Sequence, residues 1–272
     1  MSTFISGYRL TSMHYTLNGN PELPALVLLH GWMGSCVDYE IVIELLRSHF
    51  YCIAIDLPGH GKTRSIDRDY GFINTTTSII QLLDSLRIDR AILCGYSFGG
   101  RLALSLALEF PDRFSQVILE STSPGLETIA ERELRITNDE QISDRLTTTL
   151  FPDFLTHWYQ QPIFRGIESH PGFLQLIQRR IYNQPTNLAK SLQFAGLGKQ
   201  PYLGERLKDF TGQVLLIVGE DDRKFVSLAN IINLNCNCTS LAIVPNSSHN
   251  VHFQSPQLWV ELVVKFLCRG DF

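Results

Sequence analysis

An α/β fold, with a mostly parallel sheet covered by helices on both faces and an inserted helical cap, is predicted by three observations. Short apolar runs alternate with longer amphipathic ones, the apolar runs have the length of strands, and the alternation lapses once, over 126–202, before it resumes. The runs Ala25–Leu29, Cys52–Ile55, Ala91–Cys94, Val117–Leu119, Val214–Val218 and Leu241–Val244 are apolar along their length rather than at every second residue. A strand buried on both faces reads this way, whereas a strand with one wet face alternates. Helix-like segments lie between the runs, near Glu40–Leu46, Thr76–Leu86, Gly99–Glu109 and Pro256–Leu267. Strand–helix alternation of this kind builds a doubly wound parallel sheet. Residues around Tyr8–Leu10 and Met13–Tyr15 are expected to pair as an antiparallel edge.

The stretch 126–202 has no buried strand. It is rich in Glu, Arg, Leu, Gln and Ile and is broken at Pro152, Pro162, Pro171-Gly172 and Pro185, which predicts several short helices inserted between two strands. The expected organisation is a core formed by 1–125 and 203–272 that carries a cap formed by 126–202.

Composition narrows the function. The chain has 272 residues, 23 Lys+Arg against 27 Asp+Glu and a formal net charge of −4. This size fits one domain with an insertion, and the charge balance argues against a nucleic-acid binder or a protein of anionic membrane surfaces. No apolar run reaches membrane-spanning length, and Met1–Leu10 lacks the apolar core of a signal peptide. Cys52 and Cys94 fall inside strand-like runs, where free cysteine behaves as a small hydrophobe. The pair Cys236 and Cys238 has no partner pair at metal-ligand spacing. A cytoplasmic monomer or weak homo-oligomer follows as the expectation, with a small molecule as its partner.

Chemistry enters at Gly95-Tyr96-Ser97-Phe98-Gly99. This is G-x-S-x-G between a predicted strand and a predicted helix, the context of the nucleophile elbow of α/β-hydrolases. The serine occupies a strained turn, and small neighbours let strand and helix close on each other. The helix N-terminus leaves a backbone N–H beside the serine to meet a developing oxyanion. His30-Gly31-Trp32 follows the first buried strand, where this fold places its second oxyanion donor. The expected donors are therefore the N–H groups of Trp32 and Phe98. His30 and the turn Asp56-Leu57-Pro58-Gly59-His60-Gly61 are assigned to scaffolding. The acid belongs after a late strand, where Glu220, Asp221 and Asp222 compete. The base belongs after the last strand, where His249 and His252 compete. His157 and His170 fall in the insertion and are expected at the surface.

Several stretches go beyond the general fold. Gly95-Tyr96-Ser97-Phe98-Gly99-Gly100-Arg101, Ser123-Pro124-Gly125-Leu126, Glu131-Arg132-Glu133-Leu134-Arg135, Trp158-Tyr159-Gln160-Gln161-Pro162-Ile163-Phe164, Gly219-Glu220-Asp221-Asp222-Arg223-Lys224-Phe225 and His249-Asn250-Val251-His252 together resemble the 2-succinyl-6-hydroxy-2,4-cyclohexadiene-1-carboxylate synthases of menaquinone and phylloquinone biosynthesis. The resemblance covers nearly the whole chain, insertion included. It implies Ser97, Asp222 and His249 as a triad, with Tyr96, Arg101, Arg135, Trp158 and Arg180 around the substrate, and Arg179 as an alternative to Arg180. It implies a lyase that expels pyruvate from 2-succinyl-5-enolpyruvyl-6-hydroxy-3-cyclohexene-1-carboxylate, with no metal or organic cofactor. That substrate carries three carboxylates, for which guanidinium groups are suited partners. Two positions depart from the family: Ser248 stands where glycine is common, and Phe98 where Met or Leu is usual. The competing readings are a serine hydrolase, either a carboxylesterase or a carbon–carbon bond hydrolase, and a non-catalytic ligand-binding protein of the same fold. The arginines distinguish the synthase from an esterase, whose acyl pocket is apolar.

Overall fold

The computed structural model describes residues 13–64 and 70–268. The strands are β1 (Tyr15–Asn18), β2 (Ala25–Leu29), β3 (Tyr51–Ile55), β4 (Ile92–Tyr96), β5 (Gln116–Glu120), β6 (Gln213–Gly219) and β7 (Thr239–Val244). They form a single sheet in the order β1-β3-β2-β4-β5-β6-β7, parallel throughout except for β1, which runs antiparallel to β3. The antiparallel edge therefore starts at Tyr15. Tyr8–Leu10, the other half of the expected pair, lies outside the described residues.

Each predicted apolar run coincides with an observed strand to within a residue or two at either end; Ala91 falls just before β4, and β2 matches its run residue for residue. The extension matters at β4, which continues through Gly95 and Tyr96 to the residue before Ser97. Helices α1 (Glu40–Leu46), α2 (Phe72–Ser85), α3 (Phe98–Glu109), α4 (Ile129–Thr148), α5 (Phe151–Tyr159), α6 (Phe173–Ile181), α7 (Pro185–Ala195), α8 (Arg223–Asn235), α9 (Val251–Gln254) and α10 (Pro256–Leu267) complete the chain. The periodicity had not singled out α8. Its C-terminal half, Asn230-Ile231-Ile232-Asn233-Leu234-Asn235, is poor helix sequence, and the helix is held by burying Ala229 and Ile232 against the sheet. Nor is the insertion made only of short helices: α4 is 20 residues long. A reciprocal capping box fixes its start, with the Thr128 side chain accepting from the Glu131 N–H and the Glu131 carboxylate accepting from the Thr128 N–H.

Two apolar clusters flank the sheet. One packs α2, α3 and α8 on it through residues such as Val27, Leu93, Leu102 and Leu216. The other packs α1 and α10 on the opposite face through Leu28, Cys52, Cys94 and Trp259. Cys52 and Cys94 serve there as apolar fillers, and all six cysteines are unpaired. A third cluster joins Leu146, Phe154, Leu155, Phe164, Leu176 and Leu188 of the insertion to Met33 in the loop after β2 and Phe253 in α9.

Strand order locates the site. The chain lays β3 on one side of β2 and then crosses to lay β4 on the other. Loops leaving the C-terminal ends of β2 and β4 therefore diverge and open a crevice, the usual ligand position in open α/β sheets. The loop after β2 is His30-Gly31-Trp32, and the loop after β4 is Ser97 itself.

The turn after β3 is scaffolding, as expected. Asp56 accepts from the N–H groups of Cys36 (2.7 Å) and Lys62 (2.8 Å) and contacts His14 Nδ1 (2.8 Å). His60 is buried, and desolvation, with the adjacent His30 ring, pushes its pKa down to about 3. An unfolded chain binds a proton at this histidine below pH ~6.5, whereas the fold refuses it until about pH 3. The stability contribution is thus complete above pH ~6.5 and declines as the pH falls, by about 1.4 kcal/mol per pH unit for one proton. Urea unfolding between pH 6.5 and 5, above the range where most carboxylates titrate, should show such a decline, to which His60 and the likewise depressed His30 both contribute. A His60→Asn variant should show a shallower one, and an unchanged slope would remove His60 as a cause.

Candidate active site

The elbow is strained as its sequence demands. Ser97 has φ 49° and ψ −104°, a left-handed-side conformation unusual for a residue with a side chain. The turn holds because its surroundings leave no alternative. A Cβ on Gly99 would run into the Leu29 carbonyl and one on Gly100 into the Thr122 hydroxyl, so only glycine lets α3 start this close to β2 and β5. The Ser97 N–H donates to the Glu120 carbonyl (2.8 Å), and the Gly99 N–H donates to the His30 carbonyl (3.0 Å). The elbow is thereby pinned to both neighbouring strands.

Ser97 Oγ lies 2.9 Å from His249 Nε2, and His249 Nδ1 lies 2.6 Å from Asp222 Oδ2. The relay runs from a half-buried serine to a buried imidazole and a buried carboxylate. Of the three competing carboxylates, Glu220 and Asp221 point to solvent, and Asp222 alone is buried. Asp222 also N-caps α8 through a 3.4 Å contact with the Phe225 N–H, so one oxygen faces the helix and the other His249. His252 does not approach the serine in this way; its Nδ1 contacts Glu120 (2.8 and 3.0 Å).

The two expected oxyanion donors lie on the loop after β2 and at the start of α3. Phe98 is the first residue of α3, so its N–H has no acceptor within the helix. Among the described residues neither it nor the Trp32 N–H is committed to a backbone carbonyl. His30 orders the Trp32 loop: its Nε2 accepts from the Leu57 N–H (2.9 Å) and its Nδ1–H donates to the Gly31 carbonyl (2.7 Å). Those two bonds define a neutral tautomer, and burial lowers the pKa in the same sense. His30 is structural, as expected.

Three aromatic rings surround the imidazole of His249: Phe225 at 4.4 Å, Tyr96 at 5.3 Å and Phe164 at 5.7 Å between centroids. Phe164 and Phe225 were not singled out as site residues. Their signal was present, since they close the Trp158–Phe164 and Gly219–Phe225 stretches. An isolated Phe, however, reads as core until the fold places it beside a polar ring. Trp158 packs edge-on against Trp32 at 4.6 Å.

The insertion roofs this crevice. Trp32 Nε1–H donates to Ser191 Oγ (2.9 Å), Asn183 Nδ2 donates to the Met33 carbonyl (2.8 Å), and the His249 N–H donates to the Ile163 carbonyl (3.0 Å). His157 is exposed, as expected. His170 is not a plain surface residue, because it is half-buried and packs on the Phe253 ring at 4.4 Å.

The arginines are in three different states. Arg180 is buried and spends its charge internally, bonding Asp38 Oδ1 (2.8 Å) and the Tyr159 hydroxyl (3.0 Å). Arg179 faces the same carboxylate at 3.6 Å. Arg135 is half-buried and pairs with buried Asp139 at 2.8 Å. Arg101, one turn beyond Ser97 on α3, is buried but, among the described residues, bonds only neutral acceptors, Gln200 Oε1 (2.9 Å) and the Ala195 carbonyl (3.2 Å). Burial, and secondarily the nearby Arg135 charge, lowers its pKa to about 9. The fold thus holds a desolvated cation without a counter-ion in contact, a costly arrangement that an incoming anion would relieve.

Ser248, the departure from the family, is buried. Its N–H and its hydroxyl both donate to Gln254 Oε1 at 2.8 Å, so its side chain ties the histidine loop to α9. Among the described residues one group, His14, Cys36 and Asp56, has the donor types to hold a metal ion. The Asp56 oxygens there already accept backbone N–H groups and contact His14 Nδ1. This group suits scaffolding better than a metal.

Comparison with known proteins agrees with this geometry. The family described as alpha/beta hydrolase fold matches residues 24–256. A 2-succinyl-6-hydroxy-2,4-cyclohexadiene-1-carboxylate synthase of Escherichia coli O1:K1 is 33% identical over 239 residues, 88% of this chain and 92% of the relative. The enzyme of the same name from Citrobacter koseri is 33% identical over 92% of this chain and 96% of its own length. The solved structure of MenH from S. aureus superposes with a TM-score of 0.90 at 30% identity, covering 95% of this chain and 99% of that one. An enol-lactonase from Burkholderia xenovorans, at 20% identity and TM-score 0.81, shares the fold. The elbow, the Ser97–His249–Asp222 relay and these relatives, matched over nearly their full length, lead to one conclusion: the chain belongs to the alpha/beta hydrolase fold family and, within it, to the 2-succinyl-6-hydroxy-2,4-cyclohexadiene-1-carboxylate synthases.

Proposed function

We propose that this chain is a lyase that eliminates pyruvate from 2-succinyl-5-enolpyruvyl-6-hydroxy-3-cyclohexene-1-carboxylate to give 2-succinyl-6-hydroxy-2,4-cyclohexadiene-1-carboxylate, with Ser97, His249 and Asp222 as its proton-transfer relay. The observation that carries this reading over a serine hydrolase is Arg101: a buried guanidinium on the helix that follows the nucleophile, one turn beyond it, with no carboxylate in contact among the described residues. An acyl pocket for neutral esters gains nothing from such a group.

In this mechanism Asp222 orients His249 and stabilises its protonated form. Ser97 Oγ takes the ring proton α to the succinyl carbonyl as its own proton passes to His249 Nε2. The Trp32 and Phe98 N–H groups hold the enolate oxygen. The enolate collapses through the conjugated ring, the bond to the enolpyruvyl oxygen breaks, and the departing pyruvate enolate takes up a proton. No acyl-enzyme forms. Arg101 and Arg135 hold substrate carboxylate, Tyr96 and Trp158 line the ring site, and Arg180 supports it from the cap formed by 126–202, which keeps water from the enolate.

Turnover of the enolpyruvyl substrate, with pyruvate detected by a coupled dehydrogenase, tests the reading directly. The arginines sharpen it. Each charge-assisted contact to a carboxylate contributes roughly 1.5–3 kcal/mol, so Arg101→Met or Arg135→Met should lower kcat/KM on the tricarboxylate by about 10- to 150-fold. A small neutral ester, if cleaved, should be nearly indifferent. Equal losses on both substrates would point to damaged structure, and no loss on the tricarboxylate would remove the basic subsite.

A further inference from the structure

One buried carboxylate near the relay has no part in the mechanism above. Glu120 is the last residue of β5 and is fully buried. Its two ends meet both halves of the relay. Its main-chain carbonyl accepts the N–H of Ser97 at 2.8 Å. Its side chain reaches the loop that carries the base: Oε1 accepts the N–H of Val251 (2.7 Å) and of His252 (3.1 Å), and the carboxylate contacts the His252 ring nitrogen Nδ1 at 2.8 and 3.0 Å. Val251 and His252 are the first two residues of α9, and His249 stands two residues before it.

The surroundings make this attachment stiff. The His252 ring stacks on Tyr39 (4.8 Å between centroids) and meets Tyr96 edge-on (5.1 Å), and Tyr96 in turn touches His249 (5.3 Å). The Tyr39 hydroxyl is fixed to the Leu29 carbonyl (2.9 Å) at the end of β2. His252 Nε2 is buried and has no hydrogen-bond partner among the described residues. With a carboxylate at Nδ1 the ring donates from that nitrogen, and the orphaned Nε2 can remain a bare lone pair. An amide at position 120 that turned its NH2 to Nδ1 would force the opposite tautomer and strand an N–H in an apolar site, the costlier defect.

The geometry points to Glu120 as a positioning residue, acting with His252: it holds the nucleophile turn and the base loop at one spacing, so that the Ser97–His249 contact is preset before substrate arrives. The role follows from what proton transfer requires. The 2.9 Å approach of Oγ to Nε2 joins residues 152 apart in sequence, and a misplacement of about 1 Å at a reacting pair can cost about 100-fold. Glu120 is bonded directly to both segments. This inference rests on the relay assigned under the proposed function.

Two readouts test it, one of which needs no natural substrate. Glu120→Gln and Glu120→Leu are compared with the unaltered chain for covalent labelling of Ser97 by a fluorophosphonate, and for kcat and KM of pyruvate release. We expect labelling and kcat to fall together, by about 10-fold for Gln and about 100-fold for Leu, with KM changed less than about twofold. Glu120→Asp should fall between the unaltered chain and Leu. If Leu fails to fold, Gln and Asp still decide. A folded Gln variant that labels and turns over like the unaltered chain would overturn the inference. So would a variant whose melting temperature drops while labelling per folded molecule holds, which is a purely structural role, or one in which KM alone moves. Failure of the synthase reading looks different: no pyruvate would be released by any form, while the labelling series would still rank the variants.

Discussion

Replacing Ser97 with alanine is expected to lower kcat for pyruvate release by about ten-thousand-fold to a million-fold, the scale on which single triad members act. The Oγ is the only atom lost, and it lies 2.9 Å from His249 Nε2. The backbone that creates the strained turn is untouched, because the Ser97 N–H bond to the Glu120 carbonyl persists. Stability should therefore hold or rise slightly, as a Cβ without a hydroxyl is easier to house in a crowded elbow. Circular dichroism and a thermal melt beside the pyruvate assay check both halves. Activity within about tenfold of the unaltered chain would take Ser97 out of the mechanism, leaving His249 to remove the ring proton alone.

The second large effect separates the two histidines that order along the chain left in competition. His249→Ala should cost as much as Ser97→Ala, and the double variant should cost little more than either, since the two act as one unit. His252→Ala should leave a working relay with a loosened support, and its loss should be smaller by about a hundredfold or more. The basis is geometric: His249 bridges Ser97 and Asp222 at 2.9 and 2.6 Å, whereas His252 faces Glu120. A His252 variant that lost more than the His249 variant would reverse the assignment. The pair also bears on Glu120. If His252 acts through position, its truncation should depress kcat and fluorophosphonate labelling together, as the Glu120 variants do.

Much of this protein is decided locally, and that part is legible in the sequence. Apolar runs with no alternation mark strands buried on both faces, because a polar residue there would be stranded in one of the two flanking clusters; the edge strand β7 departs from this, with Ile243 exposed. The elbow is partly local: Gly95 is demanded by Gly99 and Gly100 within the strand–turn–helix unit, so the short motif marks Ser97 and the Phe98 donor, although Gly99 and Gly100 answer to Leu29 and Thr122 on neighbouring segments. His30, Asp56 and His60 are read as scaffolding from their place in the loops after β2 and β3, although some partners of His30 and Asp56 lie 20 to 42 residues away. The helix α8 escaped notice because burial of Ala229 and Ile232, rather than intrinsic propensity, holds it together.

Only the tertiary structure decided the choices that depend on residues far apart in sequence. The order along the chain admits Glu220, Asp221 or Asp222 and His249 or His252, and the family resemblance implies Asp222 and His249; the physical reason is how β6 and β7 bring their loops to β4, with Asp222 the buried carboxylate of the three. The arginines were visible as charges, but their electrostatic states were not. Asp38 neutralises Arg180 across 142 residues, while Arg101 is left with neutral partners 94 and 99 residues away. Glu120 carries no motif, and its role exists only because β5 lies beside β4 and its carboxylate lies beneath the last loop. Sequence determines chemistry wherever the interacting groups are neighbours along the chain. Where a charge finds its counter-ion, or a base its acid, through the packing of distant strands, the free energy belongs to the assembled fold and no local pattern records it.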